Sequence, residues 1–171
     1  TFDGLGVFLE NSRNNQITDS WFNDDRGNDV ITVSLEGAAF NFCQGNEIRD
    51  NTFNNSCVFL NVFVTDAVVQ DNVFFIDRPE TIQIYHAFIR AMGGCDRTTV
   101  QGNTVTGTGY YSMGDTAGIK LYYDSDCSLT GNTVTLMSKG IQVEGCKGLT
   151  MRSNVMYDNV HNFYYVPVRS F

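Results

Sequence analysis

Six segments of the chain repeat one pattern around an anchor residue, which is serine in the first segment and asparagine in the others. An apolar residue stands three positions before each anchor, and another stands two positions after it. The anchors are Ser20, Asn51, Asn72, Asn103, Asn132 and Asn154, spaced 31, 21, 31, 29 and 22 residues apart. A turn-forming Asp, Gly or Ser directly precedes every anchor. This repeat predicts a structural unit that recurs along the chain.

The two apolar columns predict strands whose side chains stack from one repeat to the next. The column three before the anchor contains Ile17, Ile48, Val69, Val100, Leu129 and Met151. The column two after the anchor contains Phe22, Phe53, Phe74, Val105, Val134 and Met156. A period of 21–31 residues with short strands and no helical periodicity is typical of a β-solenoid, in which successive coils stack as parallel strands.

The anchor asparagines are expected to line one corner of this solenoid. A stacked asparagine can pass a hydrogen bond from its side-chain amide to the equivalent asparagine one coil away. Asn and Gly also tolerate the left-handed backbone that such a corner needs. The sequence therefore predicts an amide ladder that runs along one corner.

A second strand repeats upstream of the corner. The segments GVFLENS (6–12), GIKLYYD (118–124) and GIQVEGC (140–146) align with one another and give a further apolar column. Two other repeats place Arg90 and Asn61 in these columns, which we interpret as a one-residue bulge rather than a buried arginine.

The segments GVFLENSRNNQI and LTGNTVTLMSKGIQVEGC resemble the coils of the right-handed parallel β-helix superfamily, which includes pectate-lyase-like enzymes, polysaccharide-processing repeat proteins and phage tailspikes. The resemblance covers essentially the whole chain. It implies an all-β fold, a single-stranded right-handed parallel β-helix (β-solenoid) of about six to seven coils that forms one domain over residues 1–171. The matching residues are structural, so the resemblance is specific for the fold and weak for function.

Three long connections follow the "plus two" position of their repeats, and they span 23–37, 75–87 and 106–117. Insertions that leave from one corner of a solenoid would wall a groove along its axis, and binding residues concentrate on such loops. The corresponding connections after Phe53 and Val134 are short. The variation in length therefore predicts a binding groove at this corner.

The three long connections contain the candidate site residues. Asp77, Glu80 and Asp115 are candidate catalytic residues, because two carboxylates can serve as acid and base in glycoside hydrolysis. The candidate substrate-binding residues are Asp24, Asp25, Tyr85, His86, Tyr110 and Tyr111. Aromatic rings offer flat apolar faces to sugars, and carboxylates accept hydrogen bonds from hydroxyl groups.

Three functions remain open on the sequence. The first is a tailspike-like domain that binds a bacterial surface polysaccharide and, in its catalytic form, hydrolyses it. The second is a structural shaft or adhesin stalk, for which coils of uniform length would be expected. A lyase or epimerase ranks third, because it needs a base and usually a cation, and none of the three lysines (Lys120, Lys139 and Lys147) lies in a long connection.

Composition and charge exclude several partners. The net charge of −8 argues against nucleic acid and anionic membranes, which both reward Lys and Arg. The sequence contains no run of 18 apolar residues, so membrane insertion is not expected. No cofactor or metal is expected, since no C-x-x-C occurs and His86 and His161 belong to different coils. The ends show no cap, so either the chain continues beyond them or partner subunits cover them.

The five cysteines are expected to be reduced core residues. Cys43, Cys95 and Cys146 lie eight positions before their anchors, and Cys127 lies five before its own. Reduced cysteines and the lack of a signal-peptide pattern predict folding in a reducing cytoplasm, with a final location on a virion tail or outside the cell.

A homotrimer is expected, because the tailspikes that this chain resembles are usually trimeric. Phe8, Leu60 and Val62 support it, as they are assigned to outward positions, where apolar patches usually mark an interface.

Overall fold

The computed structural model describes residues 2–3, 6–23, 31–39, 41–76, 87–109 and 116–167. These residues form three parallel sheets and a short two-stranded ladder. They contain no helix, and therefore none that could cross a membrane. One coil passes through sheet 1, sheet 2 and sheet 3 and then enters sheet 1 again. The predicted all-β parallel β-helix is confirmed.

Each sheet contains one strand from nearly every coil. Sheet 1 contains β2 (Val7–Glu10), β5 (Ile31–Glu36), β9 (Cys57–Asn61), β13 (Ala87–Met92), β16 (Ala117–Tyr122), β19 (Lys139–Glu144) and β22 (His161–Val166). Sheet 2 contains β3 (Gln16–Thr18), β7 (Glu47–Arg49), β11 (Val68–Gln70), β14 (Thr99–Gln101), β17 (Ser128–Thr130) and β20 (Thr150–Arg152). Sheet 3 contains β1 (Phe2–Asp3), β4 (Trp21–Asn23), β8 (Thr52–Asn54), β12 (Val73–Phe75), β15 (Thr104–Thr106), β18 (Thr133–Thr135) and β21 (Val155–Tyr157). The short ladder pairs β6 (Cys43–Gln44) with β10 (Val64–Thr65).

The two predicted apolar columns form the interior of sheets 2 and 3. In sheet 2 the register runs from Ile17 to Met151 through all six predicted residues, and the four central ones are fully buried. In sheet 3 the rings of Phe22 and Phe53 stack with centroids 4.9 Å apart, and those of Phe53 and Phe74 with centroids 4.6 Å apart. Stacking of equivalent side chains along the axis therefore builds one continuous core.

The asparagine corner lies between sheet 2 and sheet 3. The backbone N–H and the side-chain amide of Asn72 both donate to Asn103 Oδ1 at 3.0 Å, and Asn103 donates to Asn132 in the same way at 3.1 and 3.0 Å. All six residues that precede the anchors have positive φ, between 52° and 65°. The ladder and its left-handed corner are therefore confirmed.

The two irregular repeats, which contain Arg90 and Asn61, have one residue more than the other repeats in the turn that follows the sheet 1 strand. Ile89 pairs with Ile119, and Arg90 pairs with Lys120, so Arg90 does not take the inward position. Gly93 and Gly94, with φ of 75° and 85°, occupy the turn that follows β13. The extra residue is confirmed, but it lies outside the strand rather than in a bulge of the strand.

Two expectations about individual positions are wrong. Leu60 was expected to face outward, but it faces the core and is 0% exposed, while Phe8 is 57% exposed. The span 23–37 was expected to be a connection, yet 31–36 within it forms strand β5 of sheet 1. The first error arises because period-two alternation shifts every side chain to the opposite face when the register is wrong by one residue. The second arises because the insertion 37–42 separates β5 from its anchor by more residues than in the other repeats.

Candidate functional site

The long connections all join sheet 3 to sheet 1. The segments 24–30, 77–86 and 110–115 lie between β4 and β5, between β12 and β13, and between β15 and β16. The corresponding connections are only 55–56 and 136–138 in two other coils. Length therefore varies at this corner as predicted, although the segment 37–42 between β5 and β6 is a further insertion at another corner.

All nine predicted site residues lie outside the described residues. They are Asp24, Asp25, Asp77, Glu80, Tyr85, His86, Tyr110, Tyr111 and Asp115. Their roles stay predictions. The structure does describe the sheet 1 strands that follow these segments in the chain, including the outward side of those strands.

We define the outer face as two columns of outward residues on sheet 1. The first column contains Phe8, Ser34, Phe59, Arg90, Lys120, Gln142 and Tyr164. The second column contains Glu10, Glu36, Asn61, Met92, Tyr122, Glu144 and Val166. In the five central strands both columns alternate with buried aliphatic residues, because successive side chains of a strand point to opposite faces.

Arg90 occupies the middle of the outer face, between Phe59 and Lys120 in the first column. Its guanidinium carbon lies 4.8 Å from the centroid of the Phe59 ring, and Nη2 donates to the Met92 sulfur, a weak acceptor. The Nε atom is buried and has no hydrogen-bond partner. Arg90 forms no ion pair with any carboxylate in the described part of the chain. Burial lowers the pKa of Arg90, but an arginine keeps its charge.

Lys120 and Gln142 follow Arg90 along the same column. The ammonium of Lys120 lies 3.3 Å from Glu144 Oε1 and 5.6 Å from the Tyr122 ring centroid. Gln142 is only 1% exposed, and its amide nitrogen donates to the same Glu144 oxygen. The Oε1 atom of Gln142 is buried and accepts no hydrogen bond. The outer face thus holds two buried polar atoms without partners, one on Arg90 and one on Gln142.

A second lysine reaches the outer face near its C-terminal end. Lys139 is 5% exposed, and its ammonium lies 3.9 Å from the centroid of the Tyr164 ring. Two of the three lysines in the chain and a partly buried arginine therefore gather on one surface of a protein whose net charge is −8. The other end of the face is acidic, because Glu10 and Glu36 are register partners.

Comparison with known protein families gives one match. A family model described as "Periplasmic copper-binding protein (NosD)" matches residues 3–169. The chain belongs to the NosD family. No curated protein and no solved structure matches it. The NosD match agrees with the parallel β-helix and carries no tailspike assignment.

The NosD description makes the metal-binding chemistry of the described side chains relevant. Burial raises the pKa of the Cys95 and Cys146 thiols and raises that of Cys127 to about 12, which disfavours the thiolate that binds metals. Over the described ranges, no group of three or more His, Cys, Asp or Glu side chains is placed to hold a metal ion. These donors do not form a copper centre.

The sequence reasoning missed Arg90, Lys120 and Gln142 as candidate binding residues in this NosD-family chain. The site was expected among the acids and aromatics of the connections, and Arg90 was assigned to an inward column as an irregularity. A signal was present, since the strand segments IRAM, IKLY and IQVE align once the Gly93–Gly94 turn is counted. That alignment places the three polar side chains in one outward column.

Proposed function

We propose that this chain is a polysaccharide-binding β-helix domain that holds its ligand along the outer face. One observation carries the proposal: every second strand of sheet 1 presents an aromatic ring in the outer-face columns. These rings belong to Phe8 on β2, Phe59 on β9, Tyr122 on β16 and Tyr164 on β22. Strands in a sheet lie about 4.8 Å apart, so the rings recur about every 9.6 Å along the axis.

This spacing suits a carbohydrate chain that lies parallel to the solenoid axis. The repeat is comparable with the length of two linked hexoses, so that alternate sugars could stack on successive rings. Between the rings lie the polar groups of Asn61, Gln142 and Glu144, which can exchange hydrogen bonds with sugar hydroxyls. The combination of apolar faces and hydrogen-bonding groups is the usual chemistry of a sugar site.

The hydrolytic form of the proposal uses acids from the segments that precede two strands of sheet 1 in the chain. Asp77 and Glu80 belong to the segment before β13, and Asp115 belongs to the segment before β16. These strands are neighbours in sheet 1, which supports a pair of carboxylates from adjacent coils. Replacement of each acid by its amide should abolish hydrolysis while binding persists. Hydrolysis should also fall at acidic pH, because a general base loses its function when it is protonated.

Copper binding is not proposed for the described residues. The NosD description concerns the family, and the described part of this chain provides buried thiols of raised pKa rather than a cluster of ligands. Copper(I) prefers thiolate and thioether ligands, and copper(II) prefers imidazole. His161, the one histidine among the described residues, lies on β22 in a different coil from the buried cysteines.

A glycan array of bacterial surface polysaccharides tests the proposal. Tyr122→Ala should weaken binding about tenfold, because the ring contributes stacking of roughly 1 kcal/mol together with buried apolar area. Tyr157→Ala is a matched control, since Tyr157 is 49% exposed on the outward side of sheet 3. If the intact protein binds no glycan, or if both variants lose binding equally, the outer face is not a polysaccharide site and a structural stalk becomes the better interpretation.

A further inference from the structure

Two exposed aromatic rings, which we call the corner rings, lie where the chain turns from sheet 1 towards sheet 2. Phe63 follows β9 and is 37% exposed, and Tyr123 follows β16 and is 56% exposed. Their φ angles are 54° and 56°, and they are the two aromatic residues with positive φ in the part of the chain that the structure describes. This left-handed conformation suits Gly, Asn or Asp and is unfavourable for a bulky side chain.

The equivalent positions of other coils show which residues the turn itself favours. Tyr123, Asn11 and Gly145 each directly follow a strand of sheet 1 and donate their backbone N–H to the last residue of the strand in the next coil. Asn11 and Gly145 also have positive φ, of 47° and 64°. An exposed tyrosine at this position adds backbone strain without filling the core. Strained positions of this kind cluster at binding sites, so the Tyr123 ring is a candidate for contact with a ligand.

The neighbouring turns support the corner rings and leave an interval between them. A Cβ atom on Gly145 would lie 2.5 Å from Tyr123 Cε1 and 2.6 Å from Cδ1, so this ring rests on the backbone of the next coil. The turn after β13 lies between the coils that hold the two rings, and Gly93 and Gly94 give it no side chain. The two turns that hold the rings are two strand spacings apart, about 9.6 Å.

The corner rings lie on the same two coils as two rings of the outer face. Phe59 on β9 precedes Phe63, and Tyr122 on β16 precedes Tyr123. The ring centroids of Tyr122 and Tyr123 lie 4.5 Å apart, and their planes are 88° apart. A sugar that stacks on Tyr122 is therefore perpendicular to one that stacks on Tyr123. The consecutive sugars of an extended linear chain do not turn through such an angle, whereas a branch can leave its main chain at a right angle.

We infer that the ligand is a branched polysaccharide, whose main chain lies along the outer face and whose side-branch sugars stack on the corner rings. This inference rests on the proposed function. A branch on every second hexose of the main chain would recur with the period of about 9.6 Å that separates the turns of Phe63 and Tyr123. Each corner ring offers a flat apolar face to the C–H groups of one branch sugar.

Matched branched and linear probes test the inference. Each bacterial polysaccharide bound on the glycan array is compared before and after its branches are removed. Galactomannan oligosaccharides are likewise compared before and after α-galactosidase removes their branches, and affinity is measured by calorimetry. The intact protein should bind the branched member of a pair about tenfold more tightly than the linear member, because ring stacking on a branch sugar contributes about this factor.

Variants of the corner rings separate ligand contact from a structural role. Tyr123→Asn removes the ring and installs the residue type of Asn11 at the equivalent position, so the fold should tolerate it while the tenfold preference is lost. Tyr123→Phe keeps the ring and should keep the preference. Tyr157→Asn removes an exposed ring from sheet 3 and should leave the preference unchanged. Circular dichroism and the melting temperature establish that each variant is folded, and Phe63→Asn carries the test if Tyr123→Asn does not fold.

The outcomes distinguish the inference from the proposed function. Equal binding of branched and linear members by the intact protein overturns the branched ligand and leaves polysaccharide binding intact. An unchanged preference in Tyr123→Asn, or an equal loss in Tyr157→Asn, overturns the role of the corner rings. A fall in molecular mass by light scattering in Tyr123→Asn, with glycan binding unchanged, assigns the ring to a subunit interface and also overturns it. Failure of the intact protein to bind any glycan overturns both the inference and the proposed function.

Discussion

Replacement of Asn103 by alanine tests the amide ladder at its centre. The Asn103 side chain is 0% exposed. Its amide nitrogen donates to Asn132 Oδ1 (3.0 Å) and to the backbone oxygens of Val69 (2.8 Å) and Gln101 (3.0 Å). Its oxygen accepts the backbone N–H and the side-chain amide of Asn72, both at 3.0 Å. The side chain therefore connects three successive coils.

The expected loss follows from the groups that the substitution leaves without partners. The buried N–H of Asn72 loses its acceptor, and an orphaned buried donor costs about 1–3 kcal/mol. The lost donations from the amide nitrogen add about 1 kcal/mol net. We therefore expect Asn103→Ala to lose about 3 kcal/mol of unfolding free energy. For a chain of this size the melting temperature should fall by about 6–12 °C.

Urea denaturation followed by far-ultraviolet circular dichroism measures this loss, with Asn154→Ala as the matched control. Asn154 accepts the same two donors from Asn132, at 3.0 and 2.9 Å, but it is only partly buried at the last rung of the ladder. Water can replace its amide there, so we expect a loss of about 1 kcal/mol. A loss below about 0.5 kcal/mol for Asn103→Ala, or one no larger than that of Asn154→Ala, would refute the reasoning.

Three further predictions concern acid, thiols and assembly. Asp124 is 1% exposed, and desolvation raises its pKa from 3.8 to about 6. The folded protein therefore favours the protonated carboxyl group, and this contribution to stability is complete below pH 3.8 and is lost as the pH rises through about 6. The unfolding free energy of the wild type relative to Asp124→Asn should therefore fall by about 3 kcal/mol over that window, and a pH-independent difference would contradict it. A thiol reagent should label the partly buried Cys57 before the other four cysteines in the native protein and all five after denaturation under non-reducing conditions, whereas fewer than five would reveal a disulfide. The homotrimer stays a prediction. Of its proposed interface residues, Phe8 is exposed but Leu60 is buried, and light scattering that gives a monomer mass at micromolar concentration would disprove the trimer.

The interior of the fold could be predicted because packing makes it periodic in sequence. Each of Asn51, Asn72 and Asn103 donates to an asparagine one coil away, so the ladder requires the same residue type at the equivalent position of each coil. The stacked rings of Phe22 and Phe53 leave a comparable trace. Residues whose partner is their own equivalent in the next coil are therefore visible without coordinates.

The candidate site could not be predicted in the same way. Outward residues such as Arg90 and Lys120 meet no required partner in the next coil, so their column carries no repeated letter. Their alignment also depended on one extra residue in the Gly93–Gly94 turn, which reverses inward and outward positions when it is overlooked. The predicted residues in the long connections had no periodic register with which to place them.

The asparagine ladder also has a direction. From Ser20 through Asn51, Asn72, Asn103 and Asn132, each backbone N–H donates to the side-chain oxygen of the following anchor, and none points the other way. The dipoles of these backbone N–H donors are consequently parallel and add, with the positive end towards the C-terminal coil, whereas each side-chain amide also donates back to a backbone oxygen of the preceding coil. Aligned hydrogen bonds polarise one another, so the rungs are expected to strengthen as coils are added. The corner that joins sheet 2 to sheet 3 therefore also carries a row of aligned dipoles along the solenoid axis.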